Sequence, residues 1–353
     1  MALLAATALL EAIVMAGQNY GAFENRLSGY GAFKAFRDNA AALLPVDRLK
    51  GIKNQSNARD ITFPVLTKQT IPIITQRSCN VTGLEPISAK PTFTTITRGF
   101  EIKLFPIVFD NNEFAMQQGW ANMFLNAMRG FLASTDTYAA GLLEAGKSPV
   151  LATVDLPGVT TGASAYTIDY DNAGDLYEII NVILEKNDMT GFSHNNIANT
   201  EARKRMIDYE KFHDGNSVDK AGVLRGDLPG TSGFRHYTSN RLVADAGMQE
   251  THFMIPFGGI GMFEFIHSDA VHRRTGPGGM EMYPLTDDIV GLQWDVREVP
   301  ICEDITATYG NDPGYESAIG VKYQIATNLV FFEAYSSDTS RANIKINVEK
   351  AAA

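Results

Sequence analysis

Six histidines, His194, His213, His236, His252, His267 and His272, are the first candidates for metal or acid–base chemistry in this chain of 353 residues. None sits in an HExxH pattern, which would put two imidazoles on one helical face for a zinc ion, and His267 and His272 are five apart, off a shared face. A metal site would need convergence in three dimensions, which spacing neither shows nor excludes. Cys79 and Cys302 stand far apart and outside any CxxC pair. They fit thiols in a reducing compartment or simply small buried side chains. The stretch DYDNAG, Asp169 to Gly174, starts like a calcium loop, but Ala173 and Ile180 occupy positions five and twelve, the latter needing a bidentate glutamate. A turn leading into a helix near Asp175 is expected instead. GTSG at 230–233 lacks the spacing of a nucleophile elbow. GGIG at 258–261 and GPGG at 276–279 are followed by no GK[ST], so neither is a P-loop.

The charged clusters are equally unspecific. Arg203, Lys204 and Arg205 could contact phosphate or an acidic neighbour, or line a solvated helix face, and His272, Arg273 and Arg274 carry the same ambiguity. The carboxylate pairs Asp287/Asp288 and Glu303/Asp304 indicate acid–base work only if geometry supports it. No catalytic, cofactor-binding or metal-ligating residue is assigned, and no cofactor is called for.

The bulk numbers set the class. An apolar fraction of 45% and a charged fraction of 20% are those of a globular protein able to bury a core without disulfide or metal staples. The opening MALLAATALLEAIVMAG imitates a signal peptide, yet no Lys or Arg precedes Arg26 and Glu11 interrupts the run, so an amphipathic or buried helix is expected. Nothing else approaches the ~20 apolar residues of a membrane span, and a soluble protein is expected. Net charge is −10 overall, but residues 1–110 hold 12 Lys/Arg against 8 Asp/Glu, leaving +4, and the remainder sums to −14. An acidic body argues against gripping nucleic acid with the whole surface. A basic front suits contact with a neighbouring copy's body.

The elements follow from periodicity. Helices are expected over 2–16 and 32–44, the second stopped by Pro45 and carrying Phe33, Phe36, Ala40, Leu43 and Leu44 on one face. Together they would form a leading arm. Residues 51–109 are rich in Thr, Ile, Val and Phe, with Pro64, Pro72 and Pro106 suited to ladder edges, and predict a long hairpin turning through RSCNVTGLEPISAK. Such a ribbon is marginal alone. A helix over about 111–145 follows, with Asp110 as expected N-cap, Glu113 completing a capping box, and Gly146, Lys147 and Pro149 as its stop. Trp120, Phe124, Met128, Phe131, Thr135, Tyr138 and Leu142 form its apolar stripe. Gly119, Gly130 and Gly141 recur every eleven residues, suited to close approach of another backbone. At ~1.5 Å per residue this helix spans ~50 Å, a spine for the molecule. PVLATVDL reads as a strand, 175–188 as a helix burying Leu176, Ile179, Ile180, Ile183 and Leu184, and 190–250 as mostly polar with a short helix at EARKRMIDYEKFHDG. Strands return at HFMIPF, GMFEFIH, VGLQWDVREVPICEDI, AIGVKYQIATNLVFFEAY and ANIKINVEK.

This order of parts resembles the major capsid protein of tailed bacteriophages, the Hong Kong 97-type α+β fold. The resemblance covers the whole chain and rests on layout, since that family has no residue signature. It implies an N-terminal arm at 1–50, an extended β-hairpin loop at 51–105, a peripheral domain at 106–155 and 297–353 containing the spine helix, and an axial domain at 156–296. It further implies a non-enzymatic subunit assembling into pentamers and hexamers of an icosahedral virion shell around double-stranded DNA, without sequence-specific contacts or a membrane. Assembly in the host bacterial cytoplasm, a separate scaffolding protein, a portal and cement or decoration proteins belong to the same expectation. The scaffold would be separate because fewer than about fifty residues precede the hairpin. No residue pattern assigns a shell crosslink to Lys68. An encapsulin-like compartment, an enzyme of unrecognised family and another virion part such as a tail or decoration protein stand as alternatives.

Overall fold

The computed structural model describes residues 29–43, 60–62, 65–66, 88–89, 92–109, 112–149, 151–189, 193–213, 233–265, 274–286, 291–333 and 343–351. Expectations placed on helix 2–16, Pro45, Lys68, Pro72, most of the hairpin turn, Cys79, Asp110, GTSG up to 232, His267, His272, Arg273, Asp287 and Asp288 lie outside them.

The chain runs through helix α1 (Gly31–Leu43), strands β1 (Asp60–Thr62), β2 (Val65–Leu66), β3 (Ser88–Ala89), β4 (Thr92–Thr94) and β5 (Ile96–Leu104), and the long helix α2 (Glu113–Ala145). The middle holds β6 (Val159–Thr161), β7 (Tyr166–Ile168), α3 (Leu176–Lys186), β8 (His194–Asn199), α4 (Arg203–His213) and β9 (Phe234–Ser239). It continues with β10 (Met248–Pro256), β11 (Ile260–Phe265), β12 (Arg274–Thr275) and β13 (Glu281–Thr286). β14 (Gln293–Glu303), α5 (Thr306–Tyr309), β15 (Ala318–Glu333) and β16 (Ile344–Glu349) complete the α+β arrangement.

The stripe on α2 organises the packing. Trp120, Phe124, Met128, Phe131 and Thr135 are buried, with Tyr138 and Leu142 half-buried beside them. Trp120 stacks on Phe124 at 5.0 Å and meets Tyr323 edge-on at 6.1 Å, while Phe131 meets Trp294 at 4.8 Å. The N-cap is Asn112 rather than Asp110: its side-chain oxygen accepts from Ala115 N–H at 3.2 Å. At the other end Gly146 N–H donates to Leu142 O at 2.7 Å, and a Cβ on Gly146 would strike the Glu333 carboxylate. Among the described residues the glycine row does not serve close packing. Gly119 lies against the Phe109 ring, but Gly130 and Gly141 have nothing within 4 Å.

Two six-stranded sheets share this core. In the first, β15 is the hub: β14 pairs with Ala318–Ala326, β5 with Val321–Leu329 and β11 with Asn328–Glu333, and β13 and β12 extend it beyond β14. Its inner face supplies Trp294, Val296, Tyr323, Ile325 and Leu329 to the core beneath α2. The second is mixed, in the order β6-β7-β16-β10-β8-β9, parallel at β7/β16 and β8/β9. One face gives Ile197, Phe253 and Ile255 to the same core, and the other buries Ala198, Met254, Ile346 and Val348 under α3 and α4. The ladders interleave distant stretches: β16 joins the sheet of the middle segment, and β11 to β13 join that of the closing strands.

Several expectations need correction. α1 is no free arm, because Ala32, Phe33, Ala35 and Phe36 are fully buried, and the Phe36 ring meets Phe331 edge-on at 5.3 Å. Its first turn carries no acidic residue. The orphan donors there are taken by Asp136 of α2, whose buried carboxylate accepts Phe33 N–H at 2.8 Å and the Ser239 hydroxyl. Gly31 lets this turn sit against the backbone of Thr238, where any Cβ would clash. PVLATVDL forms no strand; its backbone is satisfied by side chains, Asn187 Oδ1 accepting from Ala152 N–H, Thr161 Oγ1 from Val154 N–H, and Tyr166 O–H donating to Ala152 O. PIVF at 106–109 is a short 3-10 turn, and the polar 190–250 region contains two full strands, β8 and β9. On α3 the residues buried are Leu176, Tyr177, Ile180, Ile183 and Leu184, with Ile179 half-buried.

Burial raises the Asp136 carboxyl above its ordinary range despite the Ser239, Phe33 and Ala32 hydrogen bonds. Asp136→Ala leaves those donors unpartnered and is expected to cost about 2–3 kcal/mol in urea unfolding, while Asp136→Asn, which still accepts at one oxygen, costs about 1 kcal/mol. Equal losses in the two variants would contradict a capping role.

Candidate functional surfaces and buried polar clusters

The mixed sheet gathers three of the six histidines. His194, His236 and His252 are buried on adjacent strands β8, β9 and β10, beneath α3 and α4. Asn196 Nδ2 donates to Tyr177 Oη at 3.2 Å and faces His236 Nδ1 at 3.1 Å, and its Oδ1 faces His252 Nδ1 at 3.1 Å. His252 Nε2 faces Glu250 at 3.3 Å. Arg205 clasps the same carboxylate through Nε at 3.0 Å and a terminal nitrogen at 2.9 Å, and also donates to Ala173 O. Burial opposes ionisation of Glu250, but His252 and Arg205 outweigh it and hold the carboxyl below its usual range. The cluster spends its groups on one another, tying α4 to β10. Among the described residues no group of three His, Cys, Asp or Glu could hold a metal ion.

Of the basic run 203–205, Arg205 therefore turns inward. Glu303 is paired with Lys103 at 2.7 Å, and Asp304 accepts from Thr306 N–H at 2.9 Å and its hydroxyl at 2.6 Å. Both carboxylates of that pair serve local structure. Cys302 is free and exposed. DYDNAG is a 3-10 turn running into α3, and the Asp175 side chain makes no capping bond.

Sequence reasoning missed a second buried cluster. Lys345 on β16 is 2% exposed, and its Nζ bridges Glu144 at the end of α2 and Asp245, each at 2.8 Å. Asn347 Nδ2 adds a bond to Asp245 at 2.9 Å, and Asn343 Nδ2 donates to Leu143 O at 2.7 Å. The C-terminal strand thus pins the last turn of the spine. A lysine inside ANIKINVEK alternates onto the same face as Asn343 and Asn347, the one signal that this face meets polar partners.

Two outward features remain. β1 pairs with β4 and β2 with β3, both antiparallel and with the same register offset, and neither described ladder joins a six-stranded sheet. The described rungs are 60–62 against 92–94 and 65–66 against 88–89. The returning strand then continues as β5 into the closing sheet, where Ile102 and Leu104 are buried. On that sheet's outer face Thr97, Gly99, Glu101, Asp295, Arg297 and Gln324 line an open depression of about 440 Å³.

No protein-family model matches this chain, and no curated protein matches it. Among solved structures it is similar to the Cyanophage A-1(L) capsid asymmetric unit at 11% identity, covering 85% of this chain and 91% of that one with a TM-score of 0.47. It is similar to the capsid of Ralstonia phage GP4 at 9% identity, covering 85% and 86% with a TM-score of 0.47. It is also similar to the capsid of a native GTA particle at 11% identity, covering 84% and 86% with a TM-score of 0.43.

The Lys345 cluster makes an asymmetric prediction. Glu144 and Asp245 are 44% and 48% exposed and can hydrate if the lysine is lost, so Lys345→Met is expected to cost only about 1 kcal/mol. The pair Glu144→Gln and Asp245→Asn strands the buried cation and costs about 3 kcal/mol. Burial opposes both carboxylates, yet Lys345 with Lys147 holds Glu144, and Lys345 with Asn347 holds Asp245, below the ordinary 4.5 and 3.8. Their contribution is present above those values and lost as pH falls through the depressed folded ones. Lys345→Met should flatten that acid limb of an unfolding-versus-pH curve; an unchanged limb would contradict the pairing.

Proposed function

We propose that this chain is a major capsid protein of the Hong Kong 97 type from a tailed bacteriophage, building pentamers and hexamers of an icosahedral shell around double-stranded DNA. The observation that carries this is the ribbon. Its described rungs are two strands wide and hydrogen-bond into neither six-stranded sheet, while the described core is built from α1, α2 and both sheets. A two-stranded ribbon is at best marginally stable in water, so it needs a surface to lie on. A neighbouring copy is the partner always at hand, and copies that present different surfaces to successive neighbours close into rings. The excess of basic residues over 1–110 and of acidic residues beyond gives such a contact complementary sign. The acidic body suits a wall that encloses DNA without gripping it.

In this proposal the ribbon is the extended loop, α2 with β5, β14 and β15 forms the peripheral domain, and the mixed sheet with α3 and α4 forms the axial domain. The arm is limited to residues before Gly29, since α1 belongs to the core. Scaffolding protein, portal and cement proteins are partners of the same proposal, and assembly takes place in the bacterial cytoplasm.

Replacing residues 63–91 by a short Asn-Gly turn removes the outer ribbon and keeps the buried strand β5. The variant is expected to retain the circular-dichroism spectrum and melting behaviour of the body while closed particles disappear from electron micrographs. Particles at the parental yield would refute the ribbon's role. Deleting residues 1–28 tests the arm in the same way, whereas deleting 1–50 would also remove Phe33 and Phe36 from the core.

A further inference from the structure

The face of the mixed sheet covered by α3 and α4 contains a ring with an acceptor at each end. His252 is fully buried, with Asn196 Oδ1 at 3.1 Å from Nδ1 and Glu250 Oε2 at 3.3 Å from Nε2. The Asn196 amide nitrogen is committed to Tyr177 Oη and His236 Nδ1, which directs its oxygen to His252. Glu250 is ionised through Arg205 and offers only lone pairs. A neutral imidazole has one N–H and can satisfy one of these two contacts; only the imidazolium donates to both.

We infer that His252 is a proton-operated latch, its doubly protonated ring locking β8 to β10 and, through Glu250 and Arg205, fastening α4 onto the mixed sheet. This goes beyond a shell-building role and does not depend on it. Loss of one proton leaves a ring-nitrogen lone pair facing an oxygen lone pair of Asn196 or Glu250 inside a dry interface, and one of the two bonds must open.

The surroundings support the assignment. Of the charged and titratable groups, Glu250 from its own strand and Tyr177 from α3, whose ring lies edge-on at 6.5 Å, face His252, while Arg205 of α4 reaches it through Glu250 and His236 of β9 through Asn196. β8 contributes Asn196 and Ala198, and β16 contributes Ile346, its ladder neighbour, none of which titrates. Glu250, held below its usual range, keeps its charge through the neutral window. A histidine changes charge between about pH 5 and 8. The stability lent by the imidazolium is present at the low end of that window and lost as pH rises, by at most about tenfold per pH unit for one proton.

Hydrogen exchange on the full chain tests this, with amide rates corrected for the intrinsic effect of pH and read over α4 and β8. The wild-type protein is expected to lose protection severalfold between about pH 5.5 and 8. His252→Gln, which cannot titrate, should flatten that response, and His236→Gln should retain it. A flat wild-type profile overturns the latch. So does a response that survives in His252→Gln but vanishes in His236→Gln, which would mean that the Asn196 amide is turned over and His236 carries the proton. Should His252→Gln fail to fold, nitrogen-15 spectra of the histidine-labelled wild-type protein decide: two protonated ring nitrogens on His252 at low pH support the latch, and one throughout refutes it.

Discussion

The apolar stripe of α2 has to be kept dry along most of about 50 Å, and no single element can do that. Trp120, Phe124, Met128, Phe131 and Tyr138 meet the closing sheet, and Asp136 meets α1, while Glu144 meets β16 of the mixed sheet. Each large side chain so buried contributes about 1.5–3 kcal/mol, and the stripe holds several of them. The sheets are placed by this demand. β15 lies centrally because it alone is long enough to pair with β5, β11 and β14 while feeding Tyr323, Ile325, Leu329 and Phe331 into the core.

That arrangement has a cost at the surface. Once both sheets and α1 have closed around α2, the returning strand β4 comes alongside β15 before β5 begins, and the described rungs of β1 to β4 join neither six-stranded sheet. Their backbone groups are paired across the ribbon, but a bare hairpin lacks the third layer that stabilises larger sheets. The polar clusters act in the opposite sense, fastening segments far apart in sequence: Asp136 to α1, Lys345 to the spine, Arg205 to β10. Buried ionic groups of this kind add little net stability relative to apolar packing but punish any alternative arrangement that leaves one unpaired. In the proposed shell, a subunit held rigid by such fastening would present the same surfaces to each neighbour.

The helix α2 was legible in sequence because its apolar period and C-terminal stop agree over more than nine turns. The long strands β14 and β15 were legible from their β-branched and aromatic content. The cap was misplaced by two residues because Asp110, Asn111 and Asn112 offer three chemically similar oxygens. β8 escaped notice because HNNIAN reads as loop; Asn195 and Asn196 are buried because Asn39 of α1, Tyr177 of α3, His236 of β9 and His252 of β10 answer them. α1 was read as an arm because an amphipathic helix looks the same whether it packs on its own chain or another, and its cap lies 103 residues away on Asp136. The interleaving of the two sheets leaves no compositional mark at all. No motif marked the polar clusters either, since their members become neighbours only through sheet pairing.

The central physical claim is that the body is self-sufficient and the ribbon is not, so the finished structure of each chain requires other copies. Electron microscopy of the purified wild-type chain, paired with sedimentation over a range of concentration and salt, tests this most directly. Rings, tubes or closed shells in which the 60–66 and 88–94 strands lie on an adjacent copy are the predicted result. A monodisperse monomer under every condition, with those strands packed on their own body, would contradict it.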